Sequence, residues 1–241
     1  MHIQAIIPVL MGPGQKPQIA VFARYPVVGE VKTRLVPSLP AGFAAVLHLA
    51  MVMDTAESAL AAQALDSWPV ALYWTDPEGR GAKVDLPDHV IVRQQRTGDL
   101  GARLAAAFSE LLSHPADRAV VVGSDCPDLG PDTIQAALAA LDGHDLVIGP
   151  ARDGGYYLIG LRSPAPALFE GISWGTDRVL TQTLERAARL GLTIHLLEVL
   201  EDVDTPDDLV RLIARRAVSE PRSGLRTEQA LRMMGLLPAR G

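Results

Sequence analysis

The chain has 241 residues, 48% of them hydrophobic and 21% charged, with a formal net charge of -6. That length buries a substantial core in one large or two small α/β domains. The acidic balance excludes sequence-independent nucleic-acid binding, no apolar run approaches the ~20 residues of a transmembrane helix, and the single cysteine, Cys126, excludes an internal disulfide and points to a reducing, cytoplasmic setting.

Residues 1–17 carry an apolar patch but no basic leader region and no small-residue cleavage site, so they read as an irregular lead-in rather than a signal peptide. "QIAVFARY" (Gln18 to Tyr25) predicts the first strand. A loop rich in Pro, Gly and basic residues follows, then an Ala/Leu/Met-rich helix over Ala41 to Ala62. "WPVALYW" and "HVIVRQQ" predict the second and third strands. "GDLGARLAAAFSELLSH" places Leu100, Leu104, Phe108 and Leu111 at helical spacing. "RAVVVGSD" is the next strand, and "PDTIQAALAALDG" a helix with Pro131 in its first turn and Gly143 past its end. "DLVIGPARDGGYYLIGL" predicts two strands around a Gly-rich turn, and "TDRVLTQTLERAARLG" a helix. A strand, an acidic loop and a helix then occupy "TIHLLEVLEDVDTPDDLVRLIARRA". Residues 218–241 are expected to form a loosely attached tail with one short helix.

Strands alternating with helices predict a mostly parallel sheet with helices on both faces, an α/β domain spanning residues 18–217. Ligands in such sheets sit at the carboxyl ends of the strands. Three loops there carry charge. In the first, Arg24, Lys32 and Arg34 lie within eleven residues beside Gly29, a set that suits a polyphosphate and equally a solvated basic loop. Neither a Walker A loop nor a dinucleotide fingerprint occurs. In the second, Asp125 ends an apolar strand where an oxygen ligand for Mg²⁺ belongs; the competing reading is a turn before Pro127. Cys126 reads as a small buried neighbour, not a nucleophile. In the third, Thr205 is an N-cap, Pro206 a first helical residue, and Asp207 and Asp208 suit the helix start. Glu201, Asp202 and Asp204 remain, and their like charges call for a cation, such as a metal shared by Asp125 and Asp204. Two weaker stretches are Gly98 to Gly101, with Asp99 at a helix start as an anion or base contact, and Asp153 to Tyr156, with glycines that let backbone approach a ligand; on their own, caps and turns are the favoured reading of both. The histidines show no zinc-ligand spacing, and no serine-hydrolase motif occurs.

Taken in order, "FARYPVVGEVKTRL", "GDLGARL", "GSDCPDL", "DGGYYLIGL" and "DVDTPDDL" resemble the uncharacterised GT-A-fold transferase family labelled DUF2064, or radical-SAM/selenodomain-associated transferase. The likeness runs from about Ile19 to Ala214. More distantly, the strand-end Asp and the Asp-Thr-Pro loop resemble molybdenum-cofactor nucleotidyltransferases and phospholactate guanylyltransferase. The resemblance implies a three-layer nucleotide-diphospho-sugar-transferase fold. It implies Asp125 and Asp204 as ligands of Mg²⁺ or Mn²⁺, with Lys32 and Arg34 gripping a triphosphate. Arg24, Gly98, Asp99, Gly101 and Ser124 would complete the nucleotide site. Asp153, Gly154, Gly155, Tyr156 and Trp174 would line the acceptor side. The first loop departs from the Gly-rich nucleotidyltransferase stretch, which leaves the phosphate contacts open.

The expected reaction is nucleotidyl transfer from a nucleoside triphosphate to a small phosphorylated acceptor, with release of pyrophosphate. An ionised acceptor phosphate needs no general base. The alternative is glycosyl transfer from a nucleotide sugar, although "DCPD" departs from the usual D-x-D pair. A nucleotide-binding protein without turnover is the third reading. The expected partners are therefore a nucleotide donor and a small-molecule acceptor, with no nucleic acid and no membrane, and with a homodimer as the assembly to test.

Overall fold

The chain is described here from a computed structural model over residues 17–63, 69–76, 84–113, 118–218 and 223–238. The expected lead-in lies outside the described residues except for Pro17, which opens strand β1 (Pro17–Arg24). Trp68, expected to start the second strand, also lies outside them.

β1 is apolar on both sides because both sides are covered. Ile19, Val21 and Ala23 pack under helices α1 (Ala41–Ala62) and α3 (Pro131–Ala140). Ala20 and Phe22 point the other way, onto α2 (Leu100–Leu111) and α4 (Val179–Arg189). β4 (Arg118–Gly123) divides likewise, with Val120 and Val122 on the first face and Ala119 and Val121 on the second. Period-two alternation thus persists beneath a continuous apolar run, as expected of a strand buried in a three-layer sandwich.

The remaining strands are β2 (Val70–Thr75), β3 (Val90–Gln94), β5 (Leu146–Pro150), β6 (Tyr156–Leu161) and β7 (Ile194–Leu196). The seven-stranded sheet has the order β3-β2-β1-β4-β6-β5-β7. Every pairing is parallel except those of β6, which runs antiparallel to β4 and β5. The β5–β6 hairpin therefore brings its turn, residues 151–155, to the edge where β1, β2 and β4 end. α4 begins at Val179 rather than near Thr176, because the Thr176 hydroxyl bonds the Ser173 carbonyl at 2.8 Å and holds a separate turn.

α1 is long and apolar enough to cross a membrane by length and composition, yet 67% of its most apolar window is buried in the fold. Its outer flank carries a third core. Leu47 and Met51 of α1 meet Leu35, Leu39 and Val203 from loops. Leu209 and Leu212 of α5 (Pro206–Val218) and Leu231 of α6 (Leu225–Met233) complete it. The short tail helix is present, but its loose attachment is not. Leu231 is fully buried, and Asp54 of α1 caps α6 through the amides of Arg226 and Thr227, both at 2.8 Å. Gly224 (φ +75) enters α6 where a Cβ would lie 2.4 Å from the Pro127 carbonyl oxygen, so only glycine lets the tail pass that loop.

Leu231→Ala should therefore destabilise the fold by about 2–5 kcal/mol in urea unfolding, the cost of emptying a core position. A loss below about 0.5 kcal/mol, the level of a neutral surface change, would show that the tail is not part of the core.

Candidate functional site

The loop after β1 turns inward at Lys32. Val31 and Leu35 on either side are buried, and Lys32 itself adopts a left-handed backbone (φ 48, ψ 38). Its side chain is only 4% exposed, and its ammonium lies 2.5 Å from Asp125 Oδ1 and 2.7 Å from Asp204 Oδ1. The third proton goes to the Val203 carbonyl at 2.8 Å. The Val203 amide donates to the Asp125 carbonyl at 2.9 Å, so the two acidic loops are joined by backbone as well. Burial alone would lower the Lys32 pKa; Asp125 and Asp204 outweigh it, and the group stays charged. Burial would raise the Asp125 carboxyl, but Lys32, with His48 and Arg24, holds it below its ordinary range. All three ammonium protons are committed, so in this arrangement Lys32 has none left for a phosphate.

A second chain of charge lies behind this one. Arg215 of α5 reaches Asp128 at 3.0 Å and also pairs with Glu201. Arg216 holds Asp128 at 2.6 Å, and Arg152 from the β5–β6 turn pairs with Glu201. The alternation Arg152–Glu201–Arg215–Asp128 thus ties together the three loops that meet at the site. These pairs also answer part of the crowding of Glu201, Asp202 and Asp204. The protein supplies arginines to Glu201 and Lys32 to Asp204. Asp208 completes a capping box: its carboxylate accepts from the Thr205 amide at 2.7 Å, and its own amide donates to Thr205 Oγ1 at 3.3 Å. Of the three, Asp202 has no ion-pair partner among the described residues, and its pKa is raised from 3.8 to about 6 by burial and by Asp153.

Two cavities flank the clamp. One of about 160 Å³ lies where β1 and β2 end, with Arg24 and Arg103 set against a single carboxylate, Glu30, beside Tyr25 and Thr75. Arg24 is beside Thr75 in the strand register, and Arg103 is anchored by the Gly98 carbonyl at 2.9 Å and by Thr75 Oγ1 at 3.4 Å. A second cavity of about 280 Å³ is lined by charged side chains of both signs, including Arg34, Arg152, Asp153, Asp202 and Asp204. Arg34 therefore faces the second cavity and not the one that holds Arg24.

The other predicted residues divide. Ser124 is buried directly before Asp125. Asp99 caps α2 by accepting from the Ala102 amide at 2.8 Å, and Gly101 is packed so closely that a Cβ would meet the Phe169 carbonyl at 2.7 Å and the Trp174 indole at 2.9 Å. Gly98 sits at φ +118 in the entering turn. Gly154 (φ +90) presses on the Asp177 backbone, and Asp153 accepts from the Gly155 amide at 2.8 Å. Tyr156 and Trp174 meet edge-on at 6.4 Å on the α2–α4 side of the sheet. Only Asp153 of this acceptor group lines the charged cavity. Sequence reasoning missed Arg103, Arg152 and His48. The last is a buried polar residue in an apolar stretch of α1, and its Nε2–H donates to the Arg24 carbonyl at 2.9 Å.

Residues 56–176, half of the chain, match the family model described as "Uncharacterized protein conserved in bacteria (DUF2064)". The chain belongs to the DUF2064 family. A crystal structure from Desulfovibrio desulfuricans G20, provisionally described as a nucleotide-diphospho-sugar transferase, is 33% identical, with a TM-score of 0.78 over 92% of this chain and 97% of that one. Two further structures share the fold at low identity. CMP:2-keto-3-deoxy-manno-octonic acid synthetase complexed with CTP is 17% identical, with a TM-score of 0.50 over 84% of this chain and 99% of that one. A 4-diphosphocytidyl-2C-methyl-D-erythritol synthase from Anaerococcus prevotii is 13% identical, with a TM-score of 0.50 over 85% of this chain and 99% of that one. No curated protein matches this DUF2064 chain. Its fold is that of the nucleotide-diphospho-sugar transferases.

Asp202 makes the site pH-sensitive. Its folded pKa lies above its ordinary value, so the stability it contributes is fully present below pH 3.8 and is lost as pH rises through about 6. With screening at a half-buried site, that loss is roughly 1 kcal/mol. Asp202→Asn should raise Tm by about 2–4 °C at pH 8 in EDTA and leave it unchanged at pH 4. Equal Tm at both pH values would contradict this account.

Proposed function

We propose that this DUF2064 protein is a metal-dependent nucleotidyltransferase, passing a nucleotidyl group from a nucleoside triphosphate to a small phosphorylated acceptor. The observation that carries the reading is the meeting of Asp125 and Asp204 on one cation position, between an arginine-lined cavity and a charged one. It is supported by the fold shared with synthetases of nucleotide-activated compounds.

The donor set fits a hard divalent ion such as Mg²⁺ or Mn²⁺. Both groups are carboxylates, each gives only Oδ1 to Lys32, and their side chains remain 46% and 38% exposed. A divalent ion on these two carboxylates would neutralise phosphate charge and align the phosphates for in-line transfer. The rest of the chemistry belongs to the chain. Arg24 and Arg103 bind the triphosphate through their planar guanidinium groups. Arg34 and Arg152 orient an anionic acceptor in the charged cavity. That acceptor arrives ionised and needs no proton removed. Cys126 takes no part, because its thiol is buried and pushed well above its ordinary pKa. A cytoplasmic setting accords with this reduced cysteine.

The second reading is glycosyl transfer from a nucleotide sugar, which the provisional description of the Desulfovibrio relative favours. It needs a second strand-end carboxylate on the metal. Asp128, the candidate from sequence, is held by Arg215 and Arg216 instead, which supports the nucleotidyl reading.

A thermal-shift screen of nucleoside triphosphates and nucleotide sugars, with and without Mg²⁺ or Mn²⁺, tests both. A ligand at about 100 times its Kd stabilises by ~2.7 kcal/mol, several degrees in Tm. One triphosphate should give a metal-dependent shift that Asp204→Ala removes and Asp128→Asn keeps. A shift with nucleotide sugars alone, lost in Asp128→Asn, would replace this reading by the second.

A further inference from the structure

Between Asp125 and Asp204 stands a cation that belongs to the chain. The ammonium of Lys32 is buried, satisfies all three of its protons, and touches the inner oxygen of each carboxylate at 2.5 and 2.7 Å. Those distances leave no room between the inner oxygens for another cation while Lys32 is in place, since Mg²⁺–oxygen bonds of about 2.0–2.1 Å need the same space. Lys32 also holds a left-handed backbone at φ 48, which is unfavourable for a residue with a Cβ. Packing of Val31 and Leu35 and the three ammonium contacts hold it there.

We propose that Lys32 is the resident cation of the Asp125–Asp204 pair and competes with a divalent ion for it. The proposal deepens the metal-dependent reading and rests on its assignment of those two carboxylates. The free protein binds Mn²⁺ weakly because each carboxylate already has half of its capacity committed to an ammonium. Removing the ammonium while keeping its volume exposes an unpaired carboxylate pair. Like charges that close raise the affinity for any replacement cation.

The test uses the full chain, Mn²⁺ alone and no nucleotide. EPR titration of free Mn²⁺ gives the affinity, and thermal unfolding with EDTA or Mn²⁺ gives the coupling to stability. Lys32→Met should bind Mn²⁺ at least tenfold more tightly than the native protein. Its Tm should fall in EDTA and recover with Mn²⁺, whereas the native Tm should hardly respond. Adding Asp204→Asn to Lys32→Met should return binding to the native level. Equal or weaker Mn²⁺ affinity in Lys32→Met overturns the proposal. So does a Lys32→Met chain that does not fold even with Mn²⁺, since the ion then cannot stand in for the ammonium. Failure here leaves the nucleotide screen intact, and a blank nucleotide screen leaves the Mn²⁺ result intact, so the two readings fall separately.

Discussion

A buried ammonium must have its charge and its protons met, and much of the site in this DUF2064 protein follows from how Lys32 meets that demand. Its acceptors come from two loops some eighty residues apart in sequence, one ending β4 and the other leading into α5. Leaving the buried ammonium with no partner would cost about 3–5 kcal/mol, whereas the part-exposed carboxylates, screened by solvent, would lose less. The arrangement therefore holds as a set. The Val203 amide on the Asp125 carbonyl locks the register of the two loops, and the capping box of Thr205 and Asp208 fixes where α5 begins. A second charge alternation runs beside the clamp, because Arg215 joins the same two loops through Asp128 and Glu201.

The sheet makes this meeting possible. β1 and β4 are parallel neighbours, so the loop carrying Lys32 and the turn carrying Asp125 leave the sheet at the same edge. Antiparallel β6 places the 151–155 turn there too, which is how Arg152 reaches Glu201. α5 and α6 then close over α1 and bury Val203, the residue between Asp202 and Asp204. Tail, helix and acidic loop are thus one packed unit. The Asp54 cap on α6 and the passage of Gly224 beneath Pro127 connect the far end of the chain to the loop of Asp125.

The fold was largely legible because its signals are local. Apolar runs marked β1 and β4, and Thr205 with Pro206 marked the start of α5. The tail was misjudged because its anchor, Asp54, lies on another helix about 170 residues away and looks like an ordinary polar residue of α1. Asp125 and Asp204 were legible as charges needing a cation. The identity of that cation was not, since nothing in the spacing of Lys32 separates a solvated basic loop from a buried clamp. Asp99 and Gly101 show the opposite limit. Their motif suggested a ligand, whereas a cap and a tight contact with Trp174 account for the geometry. Arg103, in the same motif, lines the cavity that holds Arg24 and was passed over because helical arginines are common on solvated faces.

Four nearby aspartates show why residue type alone does not assign a role. Asp125 and Asp204 share a buried lysine while their own side chains stay part-exposed. Asp128, three residues after Asp125, is held by two arginines of α5 and acts as an anchor. Asp202, two residues before Asp204, is beside Asp153 and has no arginine partner among the described residues, and its pKa is raised from 3.8 to about 6. The differences come from which helix stands behind each carboxylate. α5 offers Arg215 and Arg216 on the side of Asp128, the loop after β1 offers Lys32 to Asp125 and Asp204, and neither reaches Asp202. The charge left over at Asp202 sits in the charged cavity beside Arg34 and Arg152. A molecule entering there meets both signs of charge, which favours a polar one over an apolar one.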